Sequence, residues 1–537
     1  MKVKIIAFCL LAFLCQEVLA QAWKSYPYSP AGSLVSFPAD EGRHTSEPIE
    51  WWYVAGQLTG QTSGKSYSYM FTFFHYPQSG FDGFRILNIT DDDTGAFYQD
   101  VRPLNYTVLS TTGLDIEASI FLGGTEYFRN QLDGSNDPIP FQYELFGSNG
   151  TTESLDIQLD AQKRPLILGD DGFLNQGLAN YTYYFSLTEN DVSGTIMVGG
   201  VSEPVVGKGW IDRQYGDFNP LTGEKYEWFS LKLSNGMDIN LWNIFTVDRT
   251  IPNTPEYRIL SAWVDDATQT TSSDFTIERL SYFCTPDDVN CYSSSWQLTS
   301  VTHDLDLTIT ADHTTTEVQL PFRFFEGVIS ISGTVGGTTV TGVGFAELLH
   351  YYEDPAVTID TPSGGFYDVT QPISWTLDNP DDGRPVFYDL EYSIDNQNSF
   401  LPIVQDLTSP SYLWGSPAVN EGDDVWFKII AHSIDGTLIS ETISDVASTT
   451  TLSLNEAEVS TAKLFPNPSS EEFYLTFNSA QTNISIEVTD INGRSVSILK
   501  ANNESNMTID LGKMTTGYYF IKVETDTFYD VFKVIKR

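Results

Sequence analysis

Apolar and polar residues alternate in short runs through most of this chain, and Gly, Asn, Asp or Pro interrupts them every dozen residues or so. A period of two places successive side chains on opposite faces of an extended strand, so each run predicts a strand with one face inward. The runs are rich in Thr, Ser, Tyr and Val, and after the first twenty residues no stretch carries the spacing of a long amphipathic helix. The pattern predicts an all-β protein. Within it, Glu50-Trp51-Trp52-Tyr53-Val54-Ala55-Gly56-Gln57-Leu58 sets a carboxylate beside two adjacent tryptophans. In a strand Trp51 and Trp52 face opposite ways. One is expected to pack a core and the other to wall an apolar cavity.

The same pattern returns later. EWWYVAGQLTG at Glu50 is echoed by EWFSLKLSNG at Glu227, and each is followed by another apolar strand, YSYMFTFF at Tyr67 and INLWNIF at Ile239. Either two amphipathic hairpins coincide, or two similar β units lie in tandem, each closing into a barrel round a cavity. The expected units are 21–207 and 208–355. Residues 356–450 form a further module in which strands at Ile373–Trp375, Tyr388–Ser393 and Val425–Ala431 alternate with polar turns, the pattern of a small sandwich of the fibronectin III or immunoglobulin kind. Its DNPDDG stretch suits a turn better than a calcium loop, since Pro380 stands where a ligand is wanted. A polar linker at 451–462 leads to a last β segment, 463–537, with a basic end at Lys533, Lys536 and Arg537.

With 537 residues, 41% apolar and 14% aromatic, the chain has material for several packed cores. A formal charge of −43 excludes nucleic acid as a partner, because phosphate backbones are bound by Lys and Arg. The opening MKVKIIAFCLLAFLCQEVLA combines Lys2 and Lys4, an apolar stretch and a small-residue site ending at Ala20, as a secretory signal does. It is short for a stable membrane span. Its cleavage removes Cys9 and Cys15, and the two remaining thiols, Cys284 and Cys291, are expected to form a disulfide in an oxidising exterior. His44, His75, His303, His313 and His350 show no zinc-site spacing, no G-x-S-x-G elbow is present, and neither a metal nor another cofactor is expected.

Two resemblances add to this. Pro466-Asn467-Pro468, the D-x-x-G-R run from Asp490 to Arg494 and the G-x-Y-x-x-K run from Gly517 to Lys522 resemble the C-terminal sorting domain of type IX (Por) secretion. That likeness implies export through the periplasm of a Bacteroidetes-like bacterium to the surface or medium, with the secretion machinery as partner. Over about 35–355, PIEWWYVAGQL, GKGWIDRQYGDF, YEWFSLKLSNG and TGVGFAELLHYYE resemble the carotenoid 1,2-hydratase (hydroxyneurosporene synthase) family, with its AttH-like and kievitone hydratase-like members. The likeness implies tandem lipocalin-like barrels that bind an apolar, prenyl- or polyene-like molecule. This chain departs from the family's Trp-x-Asp-His-Glu-aromatic pattern, for it reads Trp210-Ile211-Asp212-Arg213-Gln214-Tyr215. Proton-shuttling roles of that His and Glu therefore do not transfer.

Hydrating an isolated alkene needs a positioned acid, a shield for the carbocation and a placed water. A carboxyl in an apolar cavity keeps its proton towards neutrality, and aromatic faces stabilise positive charge. Asp212 is the expected acid, with Glu347 and Glu50 as further carboxyl candidates. Trp51, Trp52, Trp210, Tyr215, Trp228, Phe229 and Phe345 are the candidate ligand walls. The alternative is a carrier without chemistry, in which Asp212 pairs with Arg213 or another base, and Glu50 and Glu347 accept structural hydrogen bonds.

Overall fold

The computed structural model describes residues 22–537 apart from 219–221, 321, 380–384, 416–417, 421, 435 and 451–461. The signal segment, the linker and most of the DNPDDG turn lie outside the described residues. The described residues are strands and turns, with no α-helix.

The first sheet closes on itself. Ten antiparallel strands run in a ring, because Asn180–Val198 pairs with Val201–Asp217 on one side and with Ser154–Ala161 on the other. Ile49–Gly60 lies between Val201–Asp217 and Ser66–Gln78. Closure leaves no free edge in the ring. Its interior is filled by Trp52, Val54, Phe71, Phe73, Phe128, Leu145, Leu159 and Phe185 among others. Gly56 faces Gly209 across two strands. The Tyr69 ring lies over both, and a Cβ on Gly56 would meet it at 2.9 Å.

The second sheet has ten strands, in which Lys225–Leu233 is flanked by Asp238–Phe245 and Thr338–Leu348, and Arg323–Val335 follows Thr338–Leu348. It wraps its own core of Phe229, Leu231, Leu241, Trp296, Leu307, Phe325 and Ile329. Val201–Asp217 belongs to the first sheet along its whole length, so the change of barrel falls after Asp217 rather than at the expected 207/208. The ladder to Ile49–Gly60 runs unbroken from Gly60↔Val205 to Ile49↔Gly216 and carries the strand past that point.

A third core joins the outer faces of the two barrels. Tyr53, Ala55, Met70, Tyr184 and Trp210 from the first pack against Trp228, Trp242, Ile244, Phe324, Val328 and Phe345 from the second. We call this the seam. Strand alternation decides what it receives: Trp52, Ile211 and Phe229 point into the barrels, and their neighbours Tyr53, Trp210 and Trp228 point into the seam.

Two sandwiches follow. Residues 356–450 form a three-stranded and a six-stranded sheet round Trp375, Leu390, Trp414 and Phe427. Residues 462–537 form a three- and a four-stranded sheet round Phe473, Leu475, Ile486 and Ile521. In the latter, Asn467 pins the Pro-Asn-Pro turn to the last strand, donating to the Lys533 carbonyl at 2.8 Å and accepting from the Ile535 N–H at 2.9 Å.

Candidate functional site

Three buried carboxyl groups of the seam have no Lys, Arg or His partner among the described residues, whereas a fourth, Asp238 at its edge, is paired with Lys163 of the first barrel at 2.6 Å. Asp212 enters from the first barrel. Its Oδ1 accepts from Ser186 Oγ at 2.5 Å and Trp210 Nε1 at 2.7 Å, and its Oδ2 accepts from the Tyr184 hydroxyl at 2.5 Å. Asn240 of the second barrel closes the network. It donates to Tyr184 at 2.6 Å and Ser186 at 3.2 Å, and accepts from Trp228 Nε1 at 3.2 Å. Burial pushes Asp212 up to about 7; the three donors restrain the rise and the nearby Glu347 adds to it.

Glu347 and Glu326 enter from the second barrel, directly opposite each other on paired strands. Glu347 accepts from the Tyr226 hydroxyl, and Glu326 Oε1 accepts from the Tyr53 hydroxyl at 2.8 Å across the seam. Burial raises both carboxyls, and the charge of Glu347 drives Glu326 higher still. Like charges directly opposite on a sheet repel, and two ionised carboxylates in this dry setting are too costly to coexist. Tyr53 is also the cross-strand partner of Asp212, so its ring stands between the carboxyl groups of the two barrels.

The apolar walls are Trp210, Trp228, Trp242, Phe324 and Phe345, with the half-buried Trp51, Phe74 and Phe84 beside them. Tyr53 meets Trp228 edge to face at 5.4 Å. Several buried polar atoms here have no hydrogen-bond partner among the described residues: Gln214 Oε1, Glu326 Oε2, Trp242 Nε1 and Trp263 Nε1. Buried polar atoms are ordinarily paired with protein or water, so these four can each take a hydrogen bond from or to a water molecule within otherwise apolar walls.

Glu50 lies elsewhere. It points into the end of the first barrel, fully buried, and is held by ion pairs to Arg213 and Arg43 and by the His44 N–H at 3.0 Å. Burial alone would raise it, but the charge of Arg213 and hydrogen bonds from His44 and Arg213 win and hold it down at about 2. The Arg213 guanidinium lies over the Trp52 ring at 4.1 Å, and Tyr215 stacks on His44 at 3.5 Å. Asp212 and Arg213, consecutive in sequence, thus point to opposite faces, and Arg213 pairs with Glu50 rather than with Asp212. Trp52 and Tyr215 belong to this cluster. Phe229 fills the second barrel, edge to face with Trp296 at 5.1 Å. The expected cavity inside the first barrel is absent among the described residues that line it: side chains fill the interior, and the space beside Trp52, Tyr143 and Arg213 is about 10 Å³, room for one water.

The structure therefore brings together Asp212, Glu347, Trp210, Trp228 and Phe345 and leaves Trp51 at their margin. Glu326, Tyr53, Tyr184, Tyr226 and Asn240 were not singled out from the sequence. The signal for Glu326 was available: in RFFEGV a carboxylate interrupts an apolar run, as in EWWYV. Cys284 and Cys291 are joined in a disulfide across their hairpin. Among the described residues, Asp389, Asp406 and His432 of the first sandwich are the one grouping with the proximity of metal ligands.

A family model described as AttH-like matches residues 28–351, more than half of the chain. The chain belongs to the AttH-like family. Among solved structures it is similar to a putative AttH from Nitrosomonas europaea, at 21% identity over 60% of this chain and 99% of that one, with a TM-score of 0.50. It is also similar to kievitone hydratase from Nectria haematococca, at 17% identity over 60% and 98% of the two chains, with a TM-score of 0.48. No curated protein matches it. In this AttH-like chain, residues 463–537 match the secretion system C-terminal sorting domain, which indicates export by the type IX route of Bacteroidetes-like bacteria. No helix among the described residues is long and apolar enough to cross a membrane.

Proposed function

We propose that this exported protein binds an apolar, prenyl- or polyene-like molecule in the seam between its barrels and hydrates or rearranges it by protonating an alkene. The observation that carries the reading is the set of carboxyls buried without cations among tryptophan and tyrosine rings. With its carboxyl held near neutrality, Asp212 is protonated often enough at ordinary pH to give a proton and is not so weak an acid that it cannot. Trp210, Trp228 and Phe345 present ring faces and edges to the positive charge that follows. Glu50, ionised and locked to two arginines, is assigned to the barrel framework.

One observation favours a carrier without chemistry. All three neighbours of Asp212 donate to it, which suits a carboxylate better than an acid. The experiment is to purify the exported protein, identify co-extracted apolar molecules by mass spectrometry and incubate them with it in heavy-oxygen water. Incorporation of label that disappears in Asp212→Asn, with ligand retention unchanged, supports the hydratase. Retention without turnover in the wild type leaves the carrier.

A further inference from the structure

We infer that Glu326 and Glu347 form a one-proton carboxyl pair that takes up the proton of the water adding to the cation, a base that complements the acid Asp212. The inference rests on the reading above for its chemistry, but the pair itself is a matter of geometry. The two residues are cross-strand partners on one face. Tyr226 serves Glu347 and Tyr53 serves Glu326 Oε1, which leaves Glu326 Oε2 buried with no donor among the described residues. A proton shared with Glu347 is the one donor that the register offers it. With one proton and one negative charge, the pair can still accept a second proton.

Three further titratable groups face the pair: Tyr53 and Asp212 from the first barrel and Tyr226 from the neighbouring strand. Burial holds both tyrosines protonated, so they donate and do not compete as bases. The step balances. The Asp212 O–H bond breaks as its proton joins an alkene carbon and leaves a carbocation and the Asp212 carboxylate. Water forms its C–O bond to the cation, and one of its protons passes to the pair, which becomes neutral. Return of that proton from the pair to Asp212 restores the resting state, and the sum is alkene plus water giving an alcohol.

The test uses the full exported protein and the isosteric variants Glu326→Gln, Glu347→Gln and Asp212→Asn. Infrared spectra in heavy water, taken as the pH is raised through neutrality, are expected to show a protonated-carboxyl band that persists into alkaline solution in the wild type and in Asp212→Asn. In each glutamine variant the band is expected to fade at a lower pH than in the wild type, because the remaining carboxyl is raised by burial but no longer shares its proton. A band unchanged in both glutamine variants overturns the pair, whether or not any alkene reacts. Squalene in heavy-oxygen, deuterated water then serves as the prenyl-alkene probe. Where the wild type makes labelled alcohol, Glu326→Gln is expected to lower it at least tenfold while deuterium still enters recovered alkene, and Asp212→Asn removes both labels. Equal loss of both labels in Glu326→Gln overturns the base role; no turnover by the wild type, with the infrared band in place, counts against the function proposed and not against the pair.

Discussion

The barrel interiors and the seam between them bury carboxylates in opposite ways. Inside the barrels three of the buried carboxylates have an arginine: Glu50 has Arg213 and Arg43, Glu227 has Arg279 at 2.7 Å, and Glu126 has Arg85 at 2.6 Å; Glu41 is the exception, accepting from Tyr26 at 2.8 Å and Tyr143 at 2.6 Å. In the seam, Asp212, Glu326 and Glu347 have tyrosines, a serine and a tryptophan instead. An arginine keeps a buried carboxylate ionised and inert; neutral donors leave it free to gain and lose a proton. The contrast also explains the internal repeat. Glu50 and Glu227 start the two EW motifs, and both turn inward onto a buried guanidinium, while Trp51 and Trp228 turn outward. The repeat builds two frameworks. The chemistry sits in what neither contains alone.

The sharpest way to break the comparison is to remove a cation from an interior. Arg279→Met strands Glu227 in a dry core and is expected to cost about 3–5 kcal/mol in urea unfolding; Arg213→Met, which leaves Glu50 still paired with Arg43, is expected to cost less. Changing both members, Glu227→Met with Arg279→Met, is expected to recover most of that loss. If the single changes cost no more than an exposed ion pair, the interiors are not what we describe.

Stability against pH distinguishes the two regions by sign. The folded value of Glu50 is about 2, below its ordinary 4.5, so its stabilisation is complete above about 4.5 and disappears as pH falls towards 2. Asp212 is raised from 3.8 to about 7, so its contribution is complete below about 4 and is lost as pH rises through 7. Urea midpoints of Glu50→Gln are therefore expected to converge on wild type in acid. Those of Asp212→Asn match it below about pH 4 and rise above it as the pH passes through 7, where the wild type alone buries an ionised carboxylate at that position.

How much of this was legible in the chain depends on distance. Alternation alone assigned the strands, and in Glu50-Trp51-Trp52 it separated the two tryptophans, because period two is a property of the backbone. Asp212 and Trp210 were legible from a motif. What local pattern does not contain is which side of a strand meets water and which meets a second barrel. Phe324, Glu326 and Val328 alternate like any amphipathic strand, and it took the packing of Tyr53, 273 positions away, to make Glu326 a site residue. The partner of Glu50 was hidden in the same way, for Arg213 lies 163 positions on. The 207/208 boundary failed because the GKGW stretch resembles a beginning, whereas the ladder shows it to be the middle of a strand.

Smaller effects sharpen the comparison of the two barrels. The first closes its ring by hydrogen bonds, whereas the second carries a covalent clasp on its Thr276–Cys284 edge. Cys284→Ser with Cys291→Ser is expected to cost about 2 kcal/mol, as suits a short loop, read from unfolding of the second barrel. Least of all, deleting 463–537 is expected to leave the unfolding of the barrels unchanged, since that segment has its own core, while the truncated protein stays in the periplasm. Surface or medium fractions that still contain it would remove the export role.

The seam has a consequence for how the molecule comes together. Each barrel can complete its own interior from its own stretch of chain, with Glu50, Glu126 and Glu227 already matched to arginines. Before they dock, Asp212, Glu326 and Glu347 stand on outer faces, wetted and ionised as any surface carboxylate is. Docking strips that water away, and the three cannot all enter as anions. Assembly of the two halves is thus a proton-consuming association. Its final step should slow as the solution turns alkaline, and the competent site is loaded with protons by the act of being built.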